Sequence, residues 1–449
     1  MIKRSARAEL TPFHYAWVIV SIAASMQMVG SGLRMAFGVV VDPLVDTFGW
    51  SHGSVALAYA STSIVTAVFS PIAGLLGNRF GARRTMVAGI VLFATGMVGS
   101  ARVSSLWELH LWYGVVLGAA QALFLVPTVP TVAVWFRRHL GLGTGVLMLS
   151  WGIGPAIAVQ VMSVLIREMG WSDAFLLTGL IGTGLMAGMM LLFRNSPEEA
   201  GRRAYGWRPS DAPIATTGKT PPARTRLFQM HIQRTNAFWN LIAIHFLGCV
   251  GHAVILVAIV PMAIHEGLSP ITAAGVLSTL SGVSLVSRLA APIIGDRIGS
   301  KGVMLLSFLG QGLTVLLLLD AHTTLAFYVF AVSFGLLYGG EGAVFPVINR
   351  QYYGQTPIGT TYGWQLFGAG FGMALGGALG GVTFDLTGGY TLAIVLSASA
   401  SVAGALCILL LEPTKRLIIP DWEDESETGD ATVARAPRPV GADAPGGGD

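Results

Sequence analysis

The chain has 449 residues, of which 53% are hydrophobic and only 11% charged, and its mean hydropathy is +0.66. Soluble domains carry about 25% charged residues, so this composition excludes an ordinary water-soluble protein and points to a membrane protein. The net charge of +4 comes from basic residues in short segments between apolar runs, where they set orientation rather than bind nucleic acid.

Apolar runs of about 20 residues, the length that crosses a bilayer, recur along the chain between glycine, proline and charge clusters. In chain order they cover 15–41, 53–77, 84–103, 107–134, 140–166 and 172–193, then 237–264, 271–295, 302–320, 324–349, 358–384 and 390–411. The first run is long enough to span and is expected to stay in the mature chain rather than act as a cleaved signal. The polar stretch from Arg194 to Arg234 is rich in Arg, Pro and Thr and cannot cross a bilayer. The spans therefore divide six and six. The organisation expected is a six-helix bundle over 1–193, a cytoplasmic linker over 194–235, a second six-helix bundle over 236–412 and a disordered cytoplasmic tail over 413–449, acidic and then Pro/Ala/Gly-rich. The fold class is an all-α membrane protein of twelve transmembrane helices in two bundles.

With the N-terminus placed inside, 23 of the 27 Lys and Arg fall on the cytoplasmic side, among them Lys3, Arg4, Arg137, Arg138, Lys301, Arg350 and Lys415. This bias puts both termini in the cytoplasm. The exceptions are Arg102 and Arg167 at outer helix ends, and Arg34 and Arg288 inside spans. The 58 glycines, about twice the usual share of ~7%, imply close helix packing through small residues. Gly141, Gly143 and Gly145 in helix 5 and Gly368, Gly370, Gly372 and Gly376 in helix 11 are expected to supply smooth surfaces for one bundle to rock on the other. Helices 3, 6, 9 and 12 are nearly uncharged and aliphatic, as supports facing lipid should be. Cys249 and Cys407 each lie in an apolar run, which offers neither a disulfide framework nor a metal cluster; both are expected to be packing residues.

An internal repeat supports the division. After helix 2 the chain reads GLLGNRFGARR (Gly74 to Arg84), and after helix 8 it reads PIIGDRIGSK (Pro292 to Lys301). Parallel repeats of six spans are a transporter pattern in which two bundles move about a site at the midplane. Gly77, Asn78, Arg79, Gly81, Arg83 and Arg84, with Asp296 and Arg297, are expected to gate rather than select: the glycines permit tight turns and the arginines can bond helix C-terminal carbonyls and acids of the opposite bundle.

This loop pair resembles the signature of the major facilitator superfamily, with Asn78 standing where an Asp is usual and Asp296 keeping the acid. More narrowly, YAWVIV at Tyr15, FGVVVDPLVDTFGW at Phe37 to Trp50, WFRRHLGLGTGV at Trp135 to Val146, GHAVILVAIVPMAIHEG at Gly251 to Gly267 and GGVTFDLTGGY at Gly380 to Tyr390 resemble the monocarboxylate porter family and its bacterial oxalate/formate exchanger relatives. The resemblance implies that Arg288, in VSRLAAPIIGDR, binds the substrate carboxylate. Mammalian members carry an Asp one turn earlier, where this chain has Ser284, and a Lys in helix 1 near Arg34.

Burying a guanidinium in a span costs at least ~2.5–3.5 kcal/mol, and the group cannot be discharged. An anionic partner that comes and goes offsets that cost, so Arg288 and Arg34 are expected to contact substrate. Glu341 is the only acid well inside a span and lies at a similar depth to Arg288. The two are expected to meet, Glu341 neutralising Arg288 in the empty carrier and becoming protonated or displaced when substrate arrives. Tyr338, one turn earlier, is placed to donate to a carboxylate. His252 lies near the middle of helix 7, where an imidazole can donate to substrate or carry a proton; His245, two turns away, has a weaker claim. Gln121, Phe124, Trp151, Trp364 and Gln365 read mainly as packing.

The expectation is a secondary transporter of the plasma membrane moving small carboxylates, monocarboxylates such as lactate or pyruvate, by alternating access with proton coupling. It needs no cofactor and no metal, is not an enzyme, binds no nucleic acid and acts as a monomer in the bilayer. No phosphate-binding G-x-x-x-x-G-K-[ST] motif is present. An anion exchanger of oxalate/formate type is the alternative, followed by a drug or sugar porter and then by a sensor or channel. Scarce mid-span Asn, Gln and Asp argue against sugar, and two positive charges against a cationic drug.

Overall fold

The computed structural model describes residues 14–211, 220–414 and 416–420. Of the tail expected to be disordered over 413–449, residues 413, 414 and 416–420 are described, with Ile418 N donating to Tyr352 O at 2.9 Å; the rest, with the inner-face charges Lys3, Arg4 and Lys415, lies outside the described residues. Among the described residues twelve helices are long and apolar enough to cross a membrane. They are α1 (Tyr15–Phe48), α2 (His52–Phe80), α3 (Ala82–Ala101), α4 (Leu106–Trp135), α5 (Leu140–Met169), α6 (Trp171–Leu192), α7 (Asn236–His265), α8 (Pro270–Ile298), α9 (Ser300–Asp320), α10 (Thr324–Tyr353), α11 (Gly359–Thr387) and α12 (Thr391–Leu409). All twelve apolar runs are helices, most of them a few residues longer than hydropathy alone marks, because polar caps extend the ends. Ser51 accepts from Ser54 N, Thr235 from Phe238 N and Ser269 from Thr272 N, each satisfying a backbone donor left open by the first turn.

The helices pair in two matching sets. Within the first six, α1 packs on α5, α2 on α4 and α3 on α6; within the second six, α7 packs on α11, α8 on α10 and α9 on α12. Between the sets α2 meets α11 and α8 meets α5. Adding six to each number converts one set into the other, so the repeat seen in two loops extends to the whole architecture. α3, α6, α9 and α12 present exposed aliphatic side chains such as Val91, Leu185, Leu313 and Leu406.

The loops α2–α3 and α8–α9 lie on one face, here the basic face. Each turns on a glycine with positive φ, Gly81 at 88° and Gly299 at 104°, a backbone region that glycine enters without steric cost. On this face the two sets press together. A Cβ on Gly74 of α2 would lie 2.3 Å from the Gly359 carbonyl oxygen of α11, and one on Gly141 of α5 would lie 2.1 Å from that of Pro292 in α8. Gly145 against Leu289, Gly152 against Leu285, Gly363 against Ser70 and Gly370 against Ala67 continue the two seams toward mid-helix.

The expectation for the glycine rows is only partly met. Gly141, Gly145 and Gly370 do lie on the seams, but Gly143 packs on Phe136 within its own half. Gly368, Gly372 and Gly376 face Ile242, Phe246 and Val250 of α7. They hold α7 and α11 together inside the second half instead of forming a sliding surface, and Gly359 and Gly363 take the seam.

The connection between the halves is bonded to both of them. Arg138 forms a bidentate pair with Asp211 at 2.7 and 2.8 Å, which holds the Asp211 carboxyl down to about 2. A depressed carboxylate contributes above its ordinary pKa, so this half-buried tie weakens only as pH falls from about 4 toward 2. Thr220 N donates to Asn78 O (2.8 Å), and from the short linker helix Pro222–Ile232 Gln229 donates to Thr361 of α11 (3.0 Å).

Candidate substrate site

Four side chains from α7, α8 and α10 meet in the second half. Arg288 of α8 donates from Nη2 to the Tyr338 hydroxyl at 2.9 Å, and its guanidinium carbon lies 5.0 Å from the centre of the Tyr338 ring. That ring is 4.9 Å from the imidazole of His252. His252 Nδ1 is 2.9 Å from Glu341 Oε2, and its Nε2 is 3.1 Å from Met373 Sδ of α11. The result is a continuous row: guanidinium, phenol, imidazole, carboxylate.

Helix periodicity explains the row. Tyr338 and Glu341 are three residues apart on α10, so their side chains fall on neighbouring positions of one face. Gly339 makes room for α8, since a Cβ there would lie 2.2 Å from the Ser284 carbonyl oxygen. Gly248 makes room for the carboxylate, since a Cβ there would lie 2.0 Å from Glu341 Oε1.

The expected Arg288–Glu341 pair is not formed. Glu341 is 1% exposed and bonds His252, while Arg288 remains half-buried with Tyr338 as its hydrogen-bond partner. Tyr338 and His252 occupy the space between them. Among the described residues no carboxylate lies within ion-pair distance of Arg288 or Arg34, and the Nε of each is buried without an acceptor. Glu341 Oε1 is likewise buried and unpartnered. Ser284 turns its hydroxyl to the Ser281 carbonyl at 2.7 Å.

Arg34 lies apart from this cluster. Its Nη1 is 3.4 Å from the Ser63 hydroxyl and its guanidinium 5.6 Å from the Tyr59 ring centre. Asp42 bonds His52 rather than Arg34. Against α5, Gly32 of α1 meets Ala158 whereas Leu285 of α8 meets Gly152 and Leu289 meets Gly145. At 1.5 Å per residue this sets Arg34 roughly 15–20 Å further from the basic face than Arg288.

His245 is buried and stacks on Phe345 at 4.0 Å, which accounts for it as packing. Gln365 exchanges two hydrogen bonds with Asn349. Gln27, which the sequence did not single out, ties α1 to Thr128 of α4 and Ser150 of α5.

At the basic face the cross-seam bonds come from two equivalent loop positions. Asn78 donates to Pro357 O and Thr360 Oγ1, both at 3.2 Å, at the start of α11. Asp296 accepts from Gly141 N at 3.1 Å at the start of α5. The expectation that loop arginines would bond helix carbonyls is corrected. Arg79 lies over the Phe80 ring and Arg83 contributes its backbone N–H to Asn195. The arginine that bonds the C-terminal carbonyls of α4, Ala133 and Phe136 at 3.3 Å each, is Arg350 of α10. Gly77, Arg84 and Arg297 complete the two loops without a cross-seam bond among the described residues.

Comparison with known proteins agrees with this architecture. A 23% identical relative, monocarboxylate transporter 12-B of Danio rerio, aligns over 88% of this chain and 86% of its own length. An Escherichia coli relative named as the uncharacterized MFS-type transporter YhjX is 25% identical over 71% of this chain and 76% of its own. Monocarboxylate transporter 11 of Mus musculus is 29% identical, but over only 37% of each chain. Among solved structures, the proton:xylose symporter XylE superposes with a TM-score of 0.68 at 16% identity, covering 92% of this chain and 99% of that one. The transporter FucP, in its outward conformation, gives 0.65 at 12%, covering 88% and 99%; both likenesses speak to the fold. The model of the Major Facilitator Superfamily matches residues 20–353 and 253–441, and with twelve spans in two repeated sets the chain belongs to that superfamily of membrane transporters.

Proposed function

We propose that the chain moves small carboxylates, monocarboxylates foremost, by alternating access coupled to protons. The observation that carries this reading is Arg288: a permanent cation in mid-span, half-buried, with no acidic partner among the described residues and an unpartnered Nε. Such a group is stabilised by a transient anion. A carboxylate accepts a fork of two N–H bonds from guanidinium, and Tyr338 adds a third donor. Arg34, nearer the opposite face and equally lacking an acid, acts as a first anion contact on the way in.

His252 and Glu341 supply the proton. The 2.9 Å contact between His252 Nδ1 and Glu341 Oε2 is the path for a proton between imidazole and carboxylate, and a proton taken up there changes the charge beside Arg288 and Tyr338. The names of the monocarboxylate relatives support this cargo class. Exchange of anions without protons is the second reading, favoured by Ser284, whose hydroxyl is committed to the backbone where related chains place an acid. The basic face is read as cytoplasmic because its loops hold nearly all the positive charge, and this conformer as closed there by the Gly74–Gly359 and Gly141–Pro292 contacts.

The test is counterflow in proteoliposomes. Arg288→Gln is expected to lower uptake of a monocarboxylate about 10- to 100-fold, the loss of a charge-assisted bond, while a thermal-shift panel of lactate, pyruvate, oxalate, formate and dicarboxylates raises wild-type stability only for cargo. Undiminished uptake by the variant would refute the reading.

A further inference from the structure

Beside the row that ends in Glu341 stands a buried thiol to which the proposed function gives no part. Cys249 is three residues before His252 on α7, so both project from one face of that helix. The Cys249 sulfur, a ring nitrogen of His252 and a carboxylate oxygen of Glu341 all lie within 4.8 Å of one another, and all three residues are buried. We propose that Cys249, His252 and Glu341 form a binding site for a thiophilic divalent cation of the zinc class, and that metal held there arrests the carrier.

Zinc binds thiolate at about 2.3 Å and nitrogen or oxygen at about 2.0–2.2 Å, so in a tetrahedral site two such ligands stand roughly 3.4–3.6 Å apart. The three ligand atoms here lie within 4.8 Å of one another, and side-chain movements of about 1 Å bring them onto one ion. Sulfur, imidazole and carboxylate together favour zinc and its softer neighbours over magnesium or calcium, which take oxygen alone.

The charges also balance. Binding releases to solvent the thiol proton and any proton then carried by the His252–Glu341 pair, and thiolate plus carboxylate neutralise the dication. The ion gives a partner to Glu341 Oε1, which otherwise has none. With Nδ1 toward Glu341, the far ring nitrogen stays 3.1 Å from Met373 Sδ and fixes the imidazole from behind. The imidazole keeps 10% exposure beside half-buried Tyr338, which leaves an edge for entry. Nearby Arg288 is separated from the site by the Tyr338 ring. Arrest follows because the metal ties α7 to α10 and removes His252 and Glu341 from proton exchange; that half of the inference rests on the proposed function, whereas binding does not.

Full-length protein with any purification tag removed is equilibrated with zinc chloride and the bound metal counted. The expected result is one zinc per chain, weakened at least about tenfold in Cys249→Ser and unchanged in Cys407→Ser. In proteoliposomes zinc inhibits wild-type uptake, and Cys249→Ser transports normally but resists zinc. Should that variant fail to fold, cobalt soaked into the wild-type protein must show a thiolate-to-cobalt absorption band. Equal zinc binding by wild type and Cys249→Ser, or no cobalt–thiolate band, overturns the site. Zinc bound through Cys249 with uptake unaffected overturns the arrest, and with it the placing of His252 and Glu341 on the transport path.

Discussion

The two carboxylate oxygens of Glu341 have unlike surroundings: Oε2 lies 2.9 Å from His252 Nδ1, and Oε1 is buried with no partner. The proposed coupling places one proton on this His252–Glu341 pair when substrate is bound. In the proposed mechanism that proton must leave for the pair to reset, and uptake of carboxylate should rise as external pH falls. Replacing Glu341 by Gln fixes the neutral form. Glu341→Gln is therefore expected to bind carboxylate in a thermal-shift assay yet to show uptake that no longer varies with pH; a profile identical to wild type would remove Glu341 from coupling. Arg288, Tyr338 and Glu341 were legible in the sequence because a charge inside an apolar span has so few structural uses. Their pairing was not. Position along a span gives height in the membrane but not direction around the helix axis, and each residue turns that direction by about 100°. Glu341 and Arg288 do share a level, yet Tyr338 and His252 stand between them. Cys249 read as a packing residue for the same reason, since its closeness to Glu341 joins α7 to α10 across more than ninety residues of chain.

Among the helices, the closest approaches are made by glycine against carbonyl oxygen on α2–α11 and α5–α8, the two seams between the halves. Gly141 leaves no space for any side chain, because its Cβ would lie 2.1 Å from Pro292 O. Gly141→Ala must push α5 from α8 at the basic face, a strain of about 1–3 kcal/mol by analogy with overpacked cores, borne only by the conformer closed there. The variant is expected to turn over carboxylate more slowly while still binding it, as judged by counterflow rate beside thermal shift; a wild-type rate would show that the seam does not govern turnover. The glycines were plain in the sequence, but the faces they serve were not. A soluble helix betrays its buried side by an apolar stripe, whereas a helix between lipid and other helices is apolar all round. Gly368, Gly372 and Gly376 thus read as a seam although they pack α11 on α7. The twelve helices themselves, resting on length and hydropathy alone, were recovered throughout.

For the molecule as a whole, the matched pairings of the two sets make the basic-face ties matched as well. Asn78 reaches the start of α11 just as Asp296 reaches the start of α5. Arg350 has no described counterpart in the first half. It extends from α10 to the last carbonyls of α4, where a cation completes both the open acceptors and the helix dipole. A cavity lined by Thr131, Asn78, Arg350 and Thr356 lies at this closure. The repeat in the loops announced the first two ties, but a basic residue at a helix end reads as topology, so the role of Arg350 emerged only from the packing. If Arg350 is the asymmetric part of the latch, Arg350→Gln favours the conformer open at the basic face without touching the Arg288 cluster. With Cys249 and Cys407 replaced by Ser and a single cysteine placed at Thr131, a polar maleimide should label that cysteine several-fold faster in Arg350→Gln than in its parent. Carboxylate binding should persist in both. Equal labelling rates would mean that Asn78 and Asp296 hold the face shut on their own, and the two halves would then close by a symmetric mechanism.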